Sequence, residues 1–224
     1  MSITEHLYMI SPCRKHAWIN IPKNASSFTK GQLAVNDWQP CDKETLYDPD
    51  IQKICILRNP MWRWISGFSQ TMLDYKISTI LDMLDNEDFW KILCINPVLD
   101  NHTEFQYKFV EGLTNVKYIY LKDRDSEFGF IKNANQFYID LSNYIKYTGG
   151  KNCITHWTHV VNPAENDTFK FQVFEKVREL IKDRYHTMLK NQLRLDYLLL
   201  DQLTEFCYNE QNEIKEKYNE QSAN

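Results

Sequence analysis

The sequence predicts a three-layer α/β protein in which a parallel β-sheet lies between helices and a helical region forms the last third. Short apolar segments of strand length alternate along the chain with segments that have the apolar spacing of helices. Such alternation is typical of parallel strands joined by crossover helices. The 224-residue chain contains no repeat, low-complexity tract or clear linker, so we expect one domain that spans residues 1–224.

Individual elements follow from the same periodicities. The apolar runs predict strands at 17–21, 54–57 and 116–121. Helical spacing predicts helices at 26–36, 61–74, 87–94, 102–113 and 133–147, and a long helical region from 169 to the end. Pro60 is compatible with the start of the second helix because its missing N–H would be unpaired there in any residue.

The first candidate site is the segment 17–28, an apolar strand followed by a polar loop that opens a helix. The loop carries Lys23, Ser26 and Ser27. A helix start presents unpaired N–H groups and partial positive charge, so this arrangement suits a phosphate or sulfate group. The glycines of a Walker A loop are absent. The alternative is an ordinary strand-to-helix turn that binds nothing.

A second strand–turn–helix segment follows at 54–68. Arg58 ends the apolar strand, and Ser66 lies two turns into the next helix. A guanidinium and a hydroxyl placed there could converge on one phosphate group. Lys23 and Arg58 both follow predicted strands, and the carboxyl ends of such strands form the crevice where ligands bind. The alternative is that Arg58 pairs with a carboxylate and Ser66 only packs.

Together the two segments resemble the sulfotransferases that use 3'-phosphoadenosine-5'-phosphosulfate. The first signature of that family is matched by Ile21-Pro22-Lys23-Asn24-Ala25-Ser26-Ser27. The second is matched by Leu57-Arg58-Asn59-Pro60 with Arg63, Ser66 and Phe68. A third segment, from His102 to Gln106, resembles the His-x-x-x-Gln segment of the carbohydrate-type members.

The resemblance implies a P-loop NTPase-like fold and transfer of a sulfuryl group from this nucleotide to an acceptor hydroxyl, expected to be that of a carbohydrate, or to an amine. Adenosine 3',5'-bisphosphate is then the second product, and no metal is required. The implied nucleotide-binding residues are Lys23, Asn24, Ala25, Ser26, Ser27, Arg58 and Ser66. Lys23 is also implied to stabilise the transition state.

His102 is the candidate general base, because a histidine titrates near neutrality and can take a proton from an alcohol. We expect it to begin the helix at 102–113, with Gln106 one turn later on the same face. Gln106 would then orient the acceptor or the imidazole. Glu104 is a weaker candidate base.

Two other functions remain open at this stage. Asp123 and Asp125 directly follow a strand, the arrangement in which some glycosyltransferases hold a metal ion and a nucleotide sugar. The first alternative is therefore a metal-dependent glycosyltransferase, and the second is a catalytically silent nucleotide-binding module. Zinc is not favoured at Cys153, His156 and His159, since a spacing of three does not keep all of them on one face.

Charge and composition exclude several classes of partner. The formal net charge of -4 gives no global basic field for nucleic acid. No apolar run reaches the ~20 residues of a membrane span, and the N-terminus lacks the pattern of a signal peptide. We therefore expect a soluble, cytoplasmic protein that acts on a small-molecule or glycan acceptor.

Overall fold

The computed structural model describes residues 8–75, 79–121, 135–149 and 168–202. Within these ranges it is an α/β structure with one five-stranded sheet in the order β3-β1-β2-β4-β5. The strands are β1 (Tyr8–Ile10), β2 (His16–Ile19), β3 (Gln39–Pro40), β4 (Gln52–Arg58) and β5 (Val116–Leu121). The helices are α1 (Ser26–Ala34), α2 (Pro60–Asp74), α3 (Ile80–Leu84), α4 (Glu87–Ile95), α5 (Gln106–Val110), α6 (Asn135–Tyr147), α7 (Thr168–Leu180) and α8 (His186–Gln192). A 3₁₀ turn at Glu44–Tyr47, a π-helical turn at Ile181–Tyr185 and helical residues at 194–202 complete the described chain.

The sheet is mixed, which corrects the expectation of an all-parallel sheet. Strands β2, β4 and β5 are parallel, as the alternating pattern predicted. Strand β1 is antiparallel to both β2 and β3. The cause is the short connection between β1 and β2, where Ser11 N–H donates to the His16 carbonyl (2.8 Å) and Arg14 takes a φ of 57°. A turn of this length can only join antiparallel strands, because a parallel pair needs a crossover.

Helices cover both faces of the sheet and make three layers. On one face, Trp18 and Ile56 pack in a cluster with residues of α1 and α6. On the other face, Ile19 and Leu57 pack in a cluster with Val110 of α5 and with residues near the end of the described chain. Burial on both sides explains why the central strands are continuous apolar runs rather than alternating ones.

Helix α2 connects the sheet to a second, purely helical core. Its apolar side chains cluster with those of α3, α4, α7 and α8. Trp64 stacks on Phe68 with ring centroids 5.0 Å apart, and Trp90 stacks on Tyr185 at 5.1 Å. The helical pattern predicted after residue 169 is therefore confirmed through residue 202, and later residues lie outside the described part. No helix in the described ranges is long and apolar enough to cross a membrane.

Helix α5 is shorter than the predicted helix at 102–113. The chain from Asp100 to Glu104 forms a turn, in which the Asp100 side chain accepts the N–H of His102 at 2.8 Å. The residue before α5, Phe105, is extended. His102 and Gln106 therefore do not share a helix face, and the expectation that they do is wrong. An aspartate side chain that accepts a hydrogen bond from a nearby backbone N–H competes with helix formation.

One close approach fixes this turn against α2. A Cβ added at Gly67 would lie 2.1 Å from the carbonyl oxygen of His102, which is backbone and cannot rotate away. Gly31 of α1, by contrast, has nothing within 4 Å of an added Cβ. Gly67 thus allows the turn that carries His102 to touch α2.

We expect Gly67→Ala to lower the free energy of unfolding by about 1–3 kcal/mol, the usual range for overpacking. The matched control Gly31→Ala should raise it by up to about 1 kcal/mol, because alanine favours the helix and meets no neighbour. Urea denaturation of both variants checks the prediction. Equal effects of the same sign would contradict the packing of the turn on α2.

Candidate functional site

The loop between β2 and α1 has the geometry of an anion site. Lys23 and Ala25 have left-handed φ values of 69° and 58°. Ala25 precedes α1 without any side-chain cap, and the first turn of α1 carries no acidic residue. The first N–H groups of a helix have no acceptor within the helix, and left-handed residues in such a loop bend the chain so that neighbouring N–H groups form a concave nest. The start of α1 therefore offers donors to an anion.

Hydrogen bonds within the loop hold this shape. The Ser26 hydroxyl donates to the Ile21 carbonyl at 2.7 Å, and the Asn24 amide group donates to the Ile56 carbonyl at 2.7 Å. Asn24 is buried, whereas Ser27 is exposed. The hydroxyl proton of Ser26 is thus used to close the loop, while the Ser27 hydroxyl is accessible to solvent. The nucleotide-binding roles of these residues stay predictions.

Arg58, the last residue of β4, reaches this loop directly. Its Nη1 donates to the Lys23 carbonyl at 3.1 Å, and its guanidinium carbon lies 5.8 Å from the centroid of the Trp62 ring. The Lys23 ammonium donates to Gln70 Oε1 of α2 at 3.2 Å. Arg58 therefore contacts the main chain of the loop before α1, whereas the side chain of Lys23 extends from that loop to α2. Ser66 is half-buried on α2, one turn before Gln70.

Gln106 lies beneath the two loops and joins them. Its Oε1 accepts from Asn24 Nδ2 at 2.7 Å and from the Arg58 N–H at 3.1 Å, and its Nε2 donates to the Arg58 carbonyl at 2.9 Å. Only 1% of Gln106 is exposed. The orienting role predicted for Gln106 stays a prediction, and any effect on an acceptor would have to pass through Asn24 and Arg58.

His102 forms a dyad with Asp100. The imidazole Nδ1 lies 3.2 Å from Asp100 Oδ2, and Thr71 Oγ1 donates to the same carboxylate at 2.9 Å. Burial opposes ionisation of Asp100, but the hydrogen bonds from His102 and Thr71 outweigh it and hold the pKa of that carboxyl below its usual range. About a fifth of the His102 side chain (21%) is exposed. The imidazole is therefore oriented by a carboxylate and accessible to solvent.

The Arg63 guanidinium ties the turn of His102 to the loop of Lys23. Arg63 Nε donates to the Pro22 carbonyl at 3.1 Å, Nη2 donates to the Asn101 carbonyl at 3.3 Å, and Nη1 donates to the Glu104 carbonyl. Burial lowers the pKa of Arg63 to about 10, so the side chain stays cationic at neutral pH. Pro22 and Asn101 directly precede Lys23 and His102, which places those two residues in adjoining loops.

A groove of about 370 Å³ runs along α1 next to the loop. It is lined by Asn20, Ser26, Ser27, Lys30, Gly31 and Ala34. Of the predicted nucleotide-binding residues, Ser26 and Ser27 line this groove, whereas Lys23, Arg58 and Ser66 do not. Within the described ranges no group of histidine, cysteine, aspartate and glutamate side chains could hold a metal ion. Asp123, Asp125, Cys153, His156 and His159 lie outside those ranges.

Comparison with known proteins adds no family. No protein-family model matches the chain, no curated protein matches it, and no solved structure matches it. The resemblance to sulfotransferases therefore depends on the sequence motifs alone.

Sequence reasoning missed the residues that hold the site together. Arg63 was part of the second motif, but no role was assigned to it, since its partners are backbone carbonyls that have no sequence signature. Asp100 precedes His102 by two residues, a spacing that could have suggested the dyad. Nothing in the local sequence marks Gly67 or Gln70 as neighbours of these loops.

We expect Arg63→Lys to lower the free energy of unfolding by about 2–4 kcal/mol, because a compact ammonium cannot reach all three carbonyls that the planar guanidinium spans, and each buried group left without a partner costs about 1–3 kcal/mol. Arg194→Lys, at an exposed position, is the matched control and should stay within about 0.5 kcal/mol of the original chain. Chemical denaturation measures both. A loss below 1 kcal/mol for Arg63→Lys would contradict its role as the tie between the loops.

Proposed function

We propose that this chain is a sulfotransferase with a P-loop NTPase-like fold, which transfers a sulfuryl group from 3'-phosphoadenosine-5'-phosphosulfate to the hydroxyl of an acceptor, expected to be a carbohydrate, or to an amine. The proposal is carried by one observation. Arg58, at the end of β4, donates to the main chain of Lys23 in the loop that leads from the neighbouring parallel strand β2 to the start of α1, where no side chain caps the helix. That edge of an open α/β sheet is where ligands bind.

The chemistry of the donor set fits the nucleotide. The groups around the loop are an ammonium, a guanidinium, N–H groups and hydroxyls, and the first turn of α1 contains no carboxylate. Such donors match phosphate and sulfate oxygens. The chain as a whole carries a net charge of -4, so the positive charge is local, which suits a small anionic ligand rather than a polyanion.

When bound, the nucleotide supplies a sulfuryl group activated by its phosphate leaving group. Lys23 and the N–H groups at the start of α1 would hold the 5' end, where negative charge builds up in the transition state. Fixed donors at such a position lower the barrier because they need no reorganisation during the reaction. Arg58 and Ser66 would hold the 3'-phosphate, and Gln106 would fix the main chain of Arg58.

The Asp100–His102 dyad supplies the proton acceptor. With Nδ1 directed at Asp100, the other ring nitrogen, Nε2, is left as the basic one that can accept the proton of an acceptor hydroxyl. The carboxylate then stabilises the imidazolium that forms. Glu104 is less suited, because its Oε1 accepts the N–H of Phe105 at 2.9 Å.

The direct test compares adenosine 3',5'-bisphosphate with AMP by isothermal titration calorimetry. We expect the bisphosphate to bind about 10- to 150-fold more tightly, as a charge-assisted contact to the 3'-phosphate is worth about 1.5–3 kcal/mol. Arg58→Ala should remove most of this difference, whereas the exposed control Arg194→Ala should preserve it.

Equal affinity of the original chain for AMP and the bisphosphate would contradict the 3'-phosphate site. Binding of a UDP-sugar that depends on Mn²⁺ and is lost in Asp123→Asn would instead favour the metal-dependent glycosyltransferase.

A second prediction concerns the base. His102→Gln should leave bisphosphate affinity unchanged but slow transfer by about 10²–10⁴-fold, the usual range for general acid–base catalysis. Single-turnover release of adenosine 3',5'-bisphosphate with a panel of carbohydrate acceptors measures the step.

His186→Gln, at the start of α8, is the matched control and should keep the original rate. If His102→Gln also kept that rate, His102 would not be the base.

A further inference from the structure

The buried carboxylate of Asp196 contacts the start of α5, next to the candidate site. Asp196 lies in the helical residues 194–202 and is 1% exposed. Its Oδ2 accepts the N–H of Gln106 at 2.9 Å, and its Oδ1 accepts the N–H of Tyr107 at 2.9 Å. Phe105, which precedes α5, provides no side-chain cap. Asp196 therefore caps the start of α5 from 90 residues away in the sequence.

We propose that Asp196 is a positioning residue for the nucleotide site, which it controls through Gln106. This inference rests on the proposed function. The carboxylate fixes the main chain of Gln106, and the side chain of Gln106 then holds both main-chain groups of Arg58 and the amide of Asn24. One continuous series of hydrogen bonds thus leads from the helical residues 194–202 to the two loops that would hold the phosphates.

The geometry explains why a carboxylate is needed. Two adjacent N–H groups point at Asp196, and an ionised carboxylate offers an acceptor oxygen to each. Asparagine has the same shape but only one acceptor oxygen, so its NH₂ group would face one of the two N–H donors. A shift of the Gln106 main chain would be passed on to Arg58, since Gln106 and Arg58 exchange two hydrogen bonds.

Burial and several neighbouring groups act on the pKa of Asp196. Burial raises the pKa of its carboxyl group, against the opposing effect of the N–H groups of Gln106 and Tyr107 and of the Arg63 guanidinium. The Glu104 carboxylate adds to the increase. The two N–H groups and the nearby guanidinium thus offset part of the cost of burying this carboxylate.

The experiment uses the full chain and compares Asp196→Asn with Leu193→Ala. Leu193 is a buried side chain of the helical core, so its truncation lowers stability while the carboxylate of Asp196 and its two hydrogen bonds are kept. Circular dichroism first establishes the midpoint of thermal unfolding for each variant. The Kd for adenosine 3',5'-bisphosphate is then measured by calorimetry at a temperature at which every variant is fully folded.

We expect Asp196→Asn to raise the Kd by about tenfold or more, the equivalent of about one lost hydrogen bond, and Leu193→Ala to leave the Kd unchanged despite its lower midpoint. A merely structural role predicts the opposite for Asp196→Asn, a lower midpoint with an unchanged Kd. Asp196→Glu serves as the second variant: it keeps both acceptor oxygens but displaces Gln106, so its Kd should also rise.

The outcomes separate this inference from the function on which it rests. If the original chain binds the bisphosphate and both folded Asp196 variants keep its Kd, only the positioning role is overturned. If neither variant folds, Asp196 is a folding requirement and the positioning role is also overturned. If the original chain fails to bind the bisphosphate, the proposed function is contradicted, and this inference is overturned with it.

Discussion

The buried guanidinium of Arg63 is the contact on which the candidate site depends. It satisfies three backbone carbonyls that belong to two loops, one before α1 and one before α5. Without it, these carbonyls would lose their side-chain donor, and the loops would be joined to each other only less directly, through the bond between Asn24 and Gln106. Because Pro22 and Asn101 adjoin Lys23 and His102, Arg63 holds the main chains at these two predicted functional residues in adjoining loops.

Gln106 is the second buried side chain that joins separate segments of the chain. Arg63 joins loops through their carbonyls, whereas Gln106 joins Asn24 to both main-chain groups of Arg58. The ends of β2 and β4 are therefore held by two buried side chains, while the groups that face outward come from the start of α1 and from Lys23. In the proposed function, this division would let the donors be preorganised before a ligand arrives, which is the condition for strong electrostatic stabilisation of a transition state.

The sequence identified the parts of the fold that have local signatures. Strands β2, β4 and β5 are apolar runs, and the longer helices have regular spacing, so both were predictable. Strands β1 and β3 were missed because they are only three and two residues long. The start of α5 was misplaced because its cap, Asp196, is 90 residues distant. Lys23 and Arg58 could be identified from the sequence because both follow apolar runs. The role of Arg63 could not, because its partners are backbone carbonyls, which any residue can supply.

A crystal structure of the chain with adenosine 3',5'-bisphosphate tests the central claim most directly, namely that the loop before α1 binds a nucleotide. We expect a 5'-phosphate oxygen at hydrogen-bond distance, about 2.7–3.2 Å, from Lys23 Nζ and from N–H groups at the start of α1. The 3'-phosphate should contact Arg58 and Ser66, and the contacts of Arg63 should be unchanged. A nucleotide bound away from this loop, or a Lys23 ammonium out of reach of the 5'-phosphate, would contradict the claim.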